Sequence, residues 1–344
     1  MIDDIEIQEI DTLIATAKEA QAEYEANGSQ EVFDLACQAV GWALMQPQNN
    51  NELSELAVME TGLGNVRDKI QKNHNKTLGL LRDIKNVKSF GHIYDDNEKG
   101  LSIYFRPKGV VAAIVPSTNP LATPTNNIIN ALKTGNSIII APSPKGAGPF
   151  SILLKHIRKN LEDAGINPNL VQMVPTPPSK SKTKRLMELA DLLVVTGSQN
   201  NVRAGYSSGT PALGVGQGNV VTILDETADL IDAAKKIVRS KTFDNATSCS
   251  SENSVIAVRS IYKEALVALE SAGGLVLDED ETKRVINLHW QDGKMNTALL
   301  AQDIDVILDK TGLAHRADKN TRFLILPTTK VGPSAVISGE KMSQ

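Results

Sequence analysis

Between residues 109 and 197 the chain alternates short apolar runs with longer amphipathic stretches. GVVAAIVP (109–116), SIIIAP (137–142), LVQMVP (170–175) and DLLVVTG (191–197) are rich in β-branched residues and bounded by Gly, Pro or polar residues. Runs of this length and type predict strands buried on both faces. The intervening segments 121–133, 150–164 and 183–190 carry apolar residues at helical spacing, and Gly135 and Gly165 supply stop signals. Strands that alternate with helices in this way predict a parallel sheet with crossover helices, a doubly wound α/β domain. Such sheets bind ligands outside the carboxyl ends of their strands.

The flanks read differently. Ile10, Leu13, Ile14 and Ala17 fall at helical spacing in a predicted helix over 5–26, which Asn27 and Gly28 stop. Ser29 is placed to cap a second helix reaching residue 46, and further helices are predicted over 52–61 and 66–87. Cys37 lies on the apolar side of the second helix with Phe33, Ala36 and Val40, where a thiol serves as a small buried hydrophobe. Residues 88–107 contain a turn-rich segment followed by the alternating LSIYF, the pattern of a hairpin arm. Such an arm is either an oligomer contact or a simple surface hairpin. After Gly209, strands are predicted over 211–216 and 219–225, then a helix over 227–240. A polar loop over 241–255 leads into a strand at 254–258, a helix at 261–272, a strand at 276–278 and a helix at 279–289. The short apolar runs 305–308 and 323–326 are predicted as further strands. The expected organisation is an N-terminal helical layer plus α/β domain over 1–240, a second α/β domain over 241–337, and the start of a further region at 338–344.

Composition narrows the class. The 344 residues are 41% hydrophobic and 22% charged, as in an ordinary globular protein. A net charge of −4 gives no general attraction to nucleic acid or to an acidic membrane. No apolar run approaches roughly eighteen residues, so no membrane helix is expected. The N-terminus, MIDDIEIQEIDTL, is acidic where a signal peptide is basic. Two cysteines do not make a disulfide framework, and a reducing cytoplasm is the simplest expectation. The histidines, His92 and His289 among them, show no metal-ligand spacing, so no metal site is expected.

Candidate chemistry centres on Cys249. KTFDNATSCSSENSV (241–255) places this thiol in a stretch dominated by Asn, Thr and Ser, just before an apolar run. A thiol on a loop carried by a rigid scaffold is a candidate nucleophile; the alternative is an inert buried thiol. No G-x-G-x-x-G follows a strand, since Gly214, Gly216 and Gly218 are spaced by two and Asn219 stands where the last glycine would be. What remains is strand, Thr196-Gly197-Ser198, then helix, whose first N–H groups can bind a phosphate or simply form a capping turn.

VTGSQNNVRAGYSSGTPALGVGQGN (195–219), followed by KTFDNATSCSSENSV, resembles the aldehyde dehydrogenase superfamily, and in particular its CoA-acylating branch. GVVAAIVPSTNP (109–120) is similar to the same branch, and the likeness runs from about residue 109 to the end. The resemblance implies an α/β fold with a doubly wound cofactor domain and a second α/β catalytic domain that this chain carries only in part. It implies that the Cys249 thiolate attacks an aldehyde, that hydride passes to NAD or NADP, and that the resulting thioester is transferred to coenzyme A. The backbone N–H of Cys249 and the side-chain amide of Asn119 are the implied donors to the developing oxyanion. The cofactor is implied to lie over Pro116, Ser117 and Thr118, the Pro142 to Lys145 turn, the Gly197–Ser198 helix start and Gly214, with Glu340 at the nicotinamide ribose. Lys145 is placed to meet a ribose or a 2′-phosphate, or to be solvated, which leaves NAD and NADP both open. A small aldehyde and CoA are the implied partners, with a homo-oligomer, dimer or tetramer, for the full-length form.

One departure from the pattern is informative. Hydrolytic members carry Glu-Leu-Gly-Gly, whose glutamate activates water; here the matching segment is Gly214-Val215-Gly216-Gln217. Glycine cannot act as a base, and losing a general base removes about 10²–10⁴-fold of rate. Transfer to a thiol is therefore expected over hydrolysis. Glu252 is the nearest acid on the C-terminal side of Cys249 and is expected to orient the loop. Thr247, Ser248 and Ser250 can hydrogen-bond a polar substrate end or merely cap the loop. The wording of STNPLATP, APSPKG and TSCSSEN is most similar to acylating enzymes of sulfoacetaldehyde, with succinate semialdehyde and acetaldehyde as alternatives. An inactive nucleotide-binding remnant is the reading from another class.

Overall fold

The computed structural model describes residues 2–291, 293–332 and 334–344. The chain forms two compact units. The first comprises the chain up to Thr61 together with Lys69–Gly216, and the second comprises Gly62–Asp68 and Gln217–Gln344. The boundary expected near Lys241 therefore falls at Gly216, and the strand and helix before Lys241 belong to the second unit. Tertiary contacts set that boundary, and the turn signals read from sequence do not report them.

The first unit begins with helices α1 (Ile2–Ala26), α2 (Gln30–Met45), α3 (Pro47–Thr61) and the body of α4 (Val66–Ile84). Ser29 caps α2 by accepting from Val32 N, as its sequence position predicts. The hairpin β1 (Gly91–Asp96) and β2 (Leu101–Phe105) is antiparallel, with Gly91 opposite Phe105. Then come β3 (Val110–Val115), α5 (Ala122–Lys133), β4 (Ser137–Pro142), α6 (Ala147–Asp163), β5 (Val171–Met173), α7 (Lys180–Leu189), β6 (Leu192–Thr196), α8 (Gln199–Tyr206) and β7 (Ala212–Val215). The sheet has the order β5-β4-β3-β6-β7, and every pair is parallel. The strand order reverses between β3 and β6, which is the switch point where ligands bind in such sheets.

Both sheet faces are buried, and the strands' period of two decides what each face meets. Val111, Ala113 and Val115 point to one side with Ile138 and Ile140, where they pack on α2, α5 and α6 through Phe33, Val40, Ile128 and Phe150. Val110, Ala112 and Ile114 point to the other side with Ile139 and Leu193, against Ile10, Ile14 and Ala17 of α1 and Leu186 of α7. Full burial of each large aliphatic side chain contributes about 1.5–3 kcal/mol. Cys37 lies in the first of these cores at 2% exposure. Its thiol donates to Ile129 O at 3.4 Å, and burial pushes its pKa up to about 12. It is the buried hydrophobe that its helical position predicts.

The second unit contains β8 (Val220–Leu224), α9 (Leu230–Thr242), β9 (Glu252–Ala257), α10 (Tyr262–Ser271), β10 (Gly274–Val276), α11 (Glu279–His289), the short β11 (Trp290–Gln291) and β12 (Lys294–Met295), α12 (Ile304–Thr311) and β13 (Phe323–Ile325). β8 pairs in parallel with β9, and β10 with β13. Ala234, Ile237 and Val238 of α9 pack with Leu269 of α10 and Phe323 of β13. Asp278 and Glu281 form a capping box at the start of α11. The strand predicted at 305–308 is instead helix α12. Its buried residues Ile307, Leu308 and Thr311 follow helical spacing, and Gly312 ends it at φ 69° in the left-handed region. A four-residue apolar run does not by itself distinguish strand from helix.

Candidate active site

Each unit carries one cluster of candidate residues. In the second unit the loop that carries Cys249 starts where α9 ends. Asp244 (φ 49°), Asn245 (φ 51°) and Ala246 (φ 63°) follow one another in the left-handed region. That backbone costs roughly 1–2 kcal/mol per L-residue, with Asp and Asn the most tolerant non-glycine types. A dense set of hydrogen bonds holds it. Asp244 N donates to Asp68 Oδ2 at 2.8 Å, and Asp244 Oδ1 accepts from Asn65 N at 3.0 Å. Asn245 Nδ2 donates to Asp303 Oδ1 at 2.8 Å and Ala301 O at 3.3 Å. Asn245 Oδ1 accepts from Gln344 Nε2 at 2.9 Å and Asn65 Nδ2 at 3.3 Å. Sequence reading assigned no part to Asn65, Asp68 or Asp303. Their role rests on contacts distant in sequence, for which Asp-Asn ahead of Cys249 is the only local signal.

From that braced base the chain makes a turn. Ser251 N donates to Ser248 O at 3.0 Å, and Ser251 Oγ donates to the same carbonyl at 2.8 Å. Cys249 and Ser250 are the two central residues of this turn, and both are exposed. A tight turn with a solvent-facing thiol rules out a buried Cys249. Gly218 passes close by: a Cβ there would lie 3.0 Å from Cys249 O, so only glycine fits without displacing the Cys249 backbone. Thr247 is buried at 4% exposure, and its hydroxyl donates to Asp244 Oδ2 at 2.5 Å, which agrees with the loop-capping alternative. Ser248 is half-buried and Ser250 exposed.

Glu252 opens β9 with a buried Oε2 that has no partner among the described residues. It lines a cavity of about 220 Å³ together with Lys241, His289 and Lys341. Lys241 is buried and its Nζ also lacks a hydrogen-bond partner among the described residues. Burial first, then the neighbouring Lys341, lowers its pKa to about 7. Lys341 Nζ donates to Asn253 O at 2.7 Å and Gly339 O at 3.1 Å, and burial lowers its pKa to about 8. Glu340 is half-buried, and desolvation raises its carboxyl above the usual range despite the nearby Lys241.

In the first unit the expected cofactor residues gather at the carboxyl ends of β3, β4 and β6. Pro116, Ser117 and Thr118 follow β3 and are half-buried. Gly197 follows β6 at φ 147°, and a Cβ there would lie 3.9 Å from Pro116 Cβ, which places the two strand ends side by side at the switch point. Ser198 caps α8 by accepting from Asn201 N at 3.3 Å. The next N–H groups of that helix are without intrahelical partners and suit an anionic phosphate. Pro142 is buried at the end of β4, and Lys145 is exposed in the turn Pro144–Gly146. Asn119 lies just beyond, its Oδ1 accepting from Lys72 Nζ at 3.0 Å. The switch-point residues thus fit a dinucleotide.

Gly214 has a different reason for being glycine. In β7 its N donates to Tyr206 Oη at 3.1 Å, and a Cβ would lie 2.7 Å from Val202 Cγ1 and 2.8 Å from Tyr206 Cε2. The position is closed by packing from α8.

A profile of the aldehyde dehydrogenase family matches residues 2–274. The acylating sulfoacetaldehyde dehydrogenase of Cupriavidus necator is 50% identical over 331 residues, 96% of this chain and 67% of that protein. An acetylating aldehyde dehydrogenase from Geobacillus thermoglucosidasius superposes with a TM-score of 0.93 at 33% identity, covering 100% of this chain and 75% of that one. A propionaldehyde dehydrogenase from Rhodopseudomonas palustris, solved with bound CoA and an acylated cysteine, superposes with a TM-score of 0.83 at 26% identity over 97% of this chain and 75% of that one. The chain thus spans about two thirds to three quarters of the length of these relatives. With sequence and fold in agreement, the chain belongs to the aldehyde dehydrogenase family.

Proposed function

We propose that the protein is a CoA-acylating aldehyde dehydrogenase for a small polar aldehyde, with sulfoacetaldehyde the first candidate. The observation that carries this reading is the exposed Cys249 at the apex of a turn whose base is pinned by Asp244 and Asn245. The thiolate adds to the aldehyde carbon, forming a C–S bond and an oxyanion. The Cys249 backbone N–H donates to that oxygen. Pro116 to Thr118 and the Gly197–Ser198 turn would hold NAD or NADP, which would supply the hydride acceptor for oxidation to a thioester. The thiolate of CoA then attacks the Cys249 thioester, and the Cys249 thiolate leaves. Gly214 offers no carboxylate to activate water, so a thiol that is already nucleophilic is the better acceptor. Ser248 and Ser250 are the hydroxyls open to an anionic substrate end. Support comes from the Cupriavidus necator relative, whose name carries both the acylating activity and sulfoacetaldehyde.

The test is cofactor reduction with and without CoA on sulfoacetaldehyde, succinate semialdehyde and acetaldehyde. Turnover that requires CoA and is fastest with sulfoacetaldehyde is expected, and full turnover without CoA refutes the reading. Cys249→Ala removes turnover while cofactor binding by fluorescence titration stays near normal; retained turnover refutes the nucleophile. The hairpin of β1 and β2, with Tyr94, Leu101, Tyr104 and Phe105 exposed, is the proposed contact of a homo-oligomer. Tyr104→Asp then lowers the sedimenting mass, and an unchanged mass overturns that assignment.

A further inference from the structure

Lys241 lies in the last turn of α9, on the buried stripe that also carries Ala234, Ile237 and Val238. It is 8% exposed. A lysine buried to this degree is almost always paired, yet its Nζ has no hydrogen-bond partner among the described residues. It lines the cavity of about 220 Å³ in the second unit, where Val255, Leu269, Phe323 and Ile325 form an apolar wall. Other polar groups at this cavity are engaged. Lys341 Nζ donates to Asn253 O and Gly339 O, His289 Nε2 bonds Lys341 O at 2.9 Å, and Thr311 Oγ1 donates to Ile307 O. Glu252 Oε2 is not: it is buried at the same cavity and has no partner among the described residues, Lys241 included.

The cavity thus offers a free amine and a free carboxyl oxygen to a small apolar space. Desolvation in an apolar pocket and a neighbouring cation are the two devices that keep a lysine amine neutral and nucleophilic. Both act here: burial first, then Lys341, lower the amine to about 7, against the opposing pull of Glu252 and Glu340. Near neutral pH about half of the amine then carries its lone pair, against fewer than about one in a thousand for an ordinary lysine.

We propose that Lys241 is a carbonyl-binding site, whose amine condenses with a small aldehyde while the aldehyde's apolar chain lies along the wall of Val255, Leu269, Phe323 and Ile325. The Nζ lone pair forms a C–N bond to the carbonyl carbon, and the carbonyl oxygen takes up a proton to give a carbinolamine. Protonated Glu252 delivers a proton to that hydroxyl, which leaves as water. The remaining imine holds its proton as an iminium, with the Glu252 carboxylate as counter-charge. Nothing is oxidised or reduced. The step does not use the Cys249 thiol, so it stands whether or not the acylating reading does.

The experiment treats the native protein near neutral pH with butanal and sodium cyanoborohydride, which reduces an iminium to a stable N-butyl amine. Site-resolved peptide mass spectrometry follows the rate at each lysine, with the exposed Lys235 of the same helix as reference. Lys241 is expected to be butylated at least about tenfold faster than Lys235. Labelling of Lys241 no faster than Lys235, or only after unfolding in urea, overturns the proposal. A naphthaldehyde in place of butanal should erase the lead of Lys241 while Lys235 still reacts; a lead that survives the bulky ring shows that the cavity is not the site. Glu252→Gln should slow Lys241 several-fold and leave Lys235 unchanged, and an equal rate at Lys241 overturns the part given to Glu252. Cys249→Ala should label Lys241 as wild type does. Loss of labelling in that variant overturns a site independent of the thiol, whereas loss of turnover there bears only on the acylating reading.

Discussion

Asn245 gives an inverted ranking of two small residues. The side chain is 3% exposed and sits at φ 51°, ψ 43°. Replacing it with Ala removes the bond to the Asp303 carboxylate, worth about 1.5–3 kcal/mol, and the bond from Gln344, worth about 1 kcal/mol. The two contacts at 3.3 Å add little. An alanine left in the left-handed region costs at least about 1 kcal/mol more. Asn245→Ala should therefore destabilise the second unit by roughly 3–5 kcal/mol. Asn245→Gly loses the same side chain but keeps a backbone that glycine adopts freely, so it should be the milder variant by about 1 kcal/mol. In an ordinary helical turn the order is the reverse, with Gly worse than Ala by about 1 kcal/mol. The sign of the difference thus reports whether the left-handed run exists in solution. Urea unfolding in a Trp42→Phe background, with Trp290 as the remaining fluorophore, follows the second unit alone. Asn245→Ala equal to or more stable than Asn245→Gly would refute the braced, left-handed base for the nucleophile turn.

Native protein treated with iodoacetamide should take up one label, at Cys249, because Cys37 is buried and its thiol is held at about 12; labelling of both thiols before unfolding would contradict the core placement of Cys37. For Lys241, the folded state holds the amine near pKa 7 against an ordinary 10.5, so between those values the unfolded chain binds the proton and the folded chain does not. Stability of the second unit should then rise as pH increases from about 7 to 10, with the cost fully present below pH 7. Lys341, lowered by burial to about 8, acts in the same direction. Lys241→Met should flatten much of the rise and raise stability at neutral pH, on the order of a few kcal/mol. An unchanged pH slope in that variant would show the amine is solvated.

The doubly wound core was legible because burial on both faces leaves a plain trace: wholly apolar runs punctuated by Gly and Pro, as at Val110–Val115 and Ser137–Pro142. The short run at 305–308 was read as a strand because four apolar residues fit either period, and only packing of Ile307, Leu308 and Thr311 settled it. Cys249 stood out by its flanks. What holds it did not, since the bonds from Asn65 and Asp68 span some 180 positions in the chain. For the Thr247 hydroxyl, ligand contact and loop capping both stayed open, because composition does not reveal the bond to Asp244. Gly218 was legible only as a failed dinucleotide fingerprint, whereas its reason lies in the close approach of the Cys249 carbonyl.

Gly214 makes the choice of acyl acceptor hard to reverse. A glutamate there would have to start from a Cβ already 2.7 Å from Val202 and 2.8 Å from Tyr206, so restoring the carboxylate alone brings a clash before it brings a base. Tyr206 is also tied by its hydroxyl to the Gly214 amide, so clearing space for the side chain breaks that bond. A glutamate at this position therefore requires Val202 and Tyr206 to move as well. The helix packed over β7 therefore guards the acceptor choice by sterics as well as by chemistry, since the position has no room for a water-activating side chain.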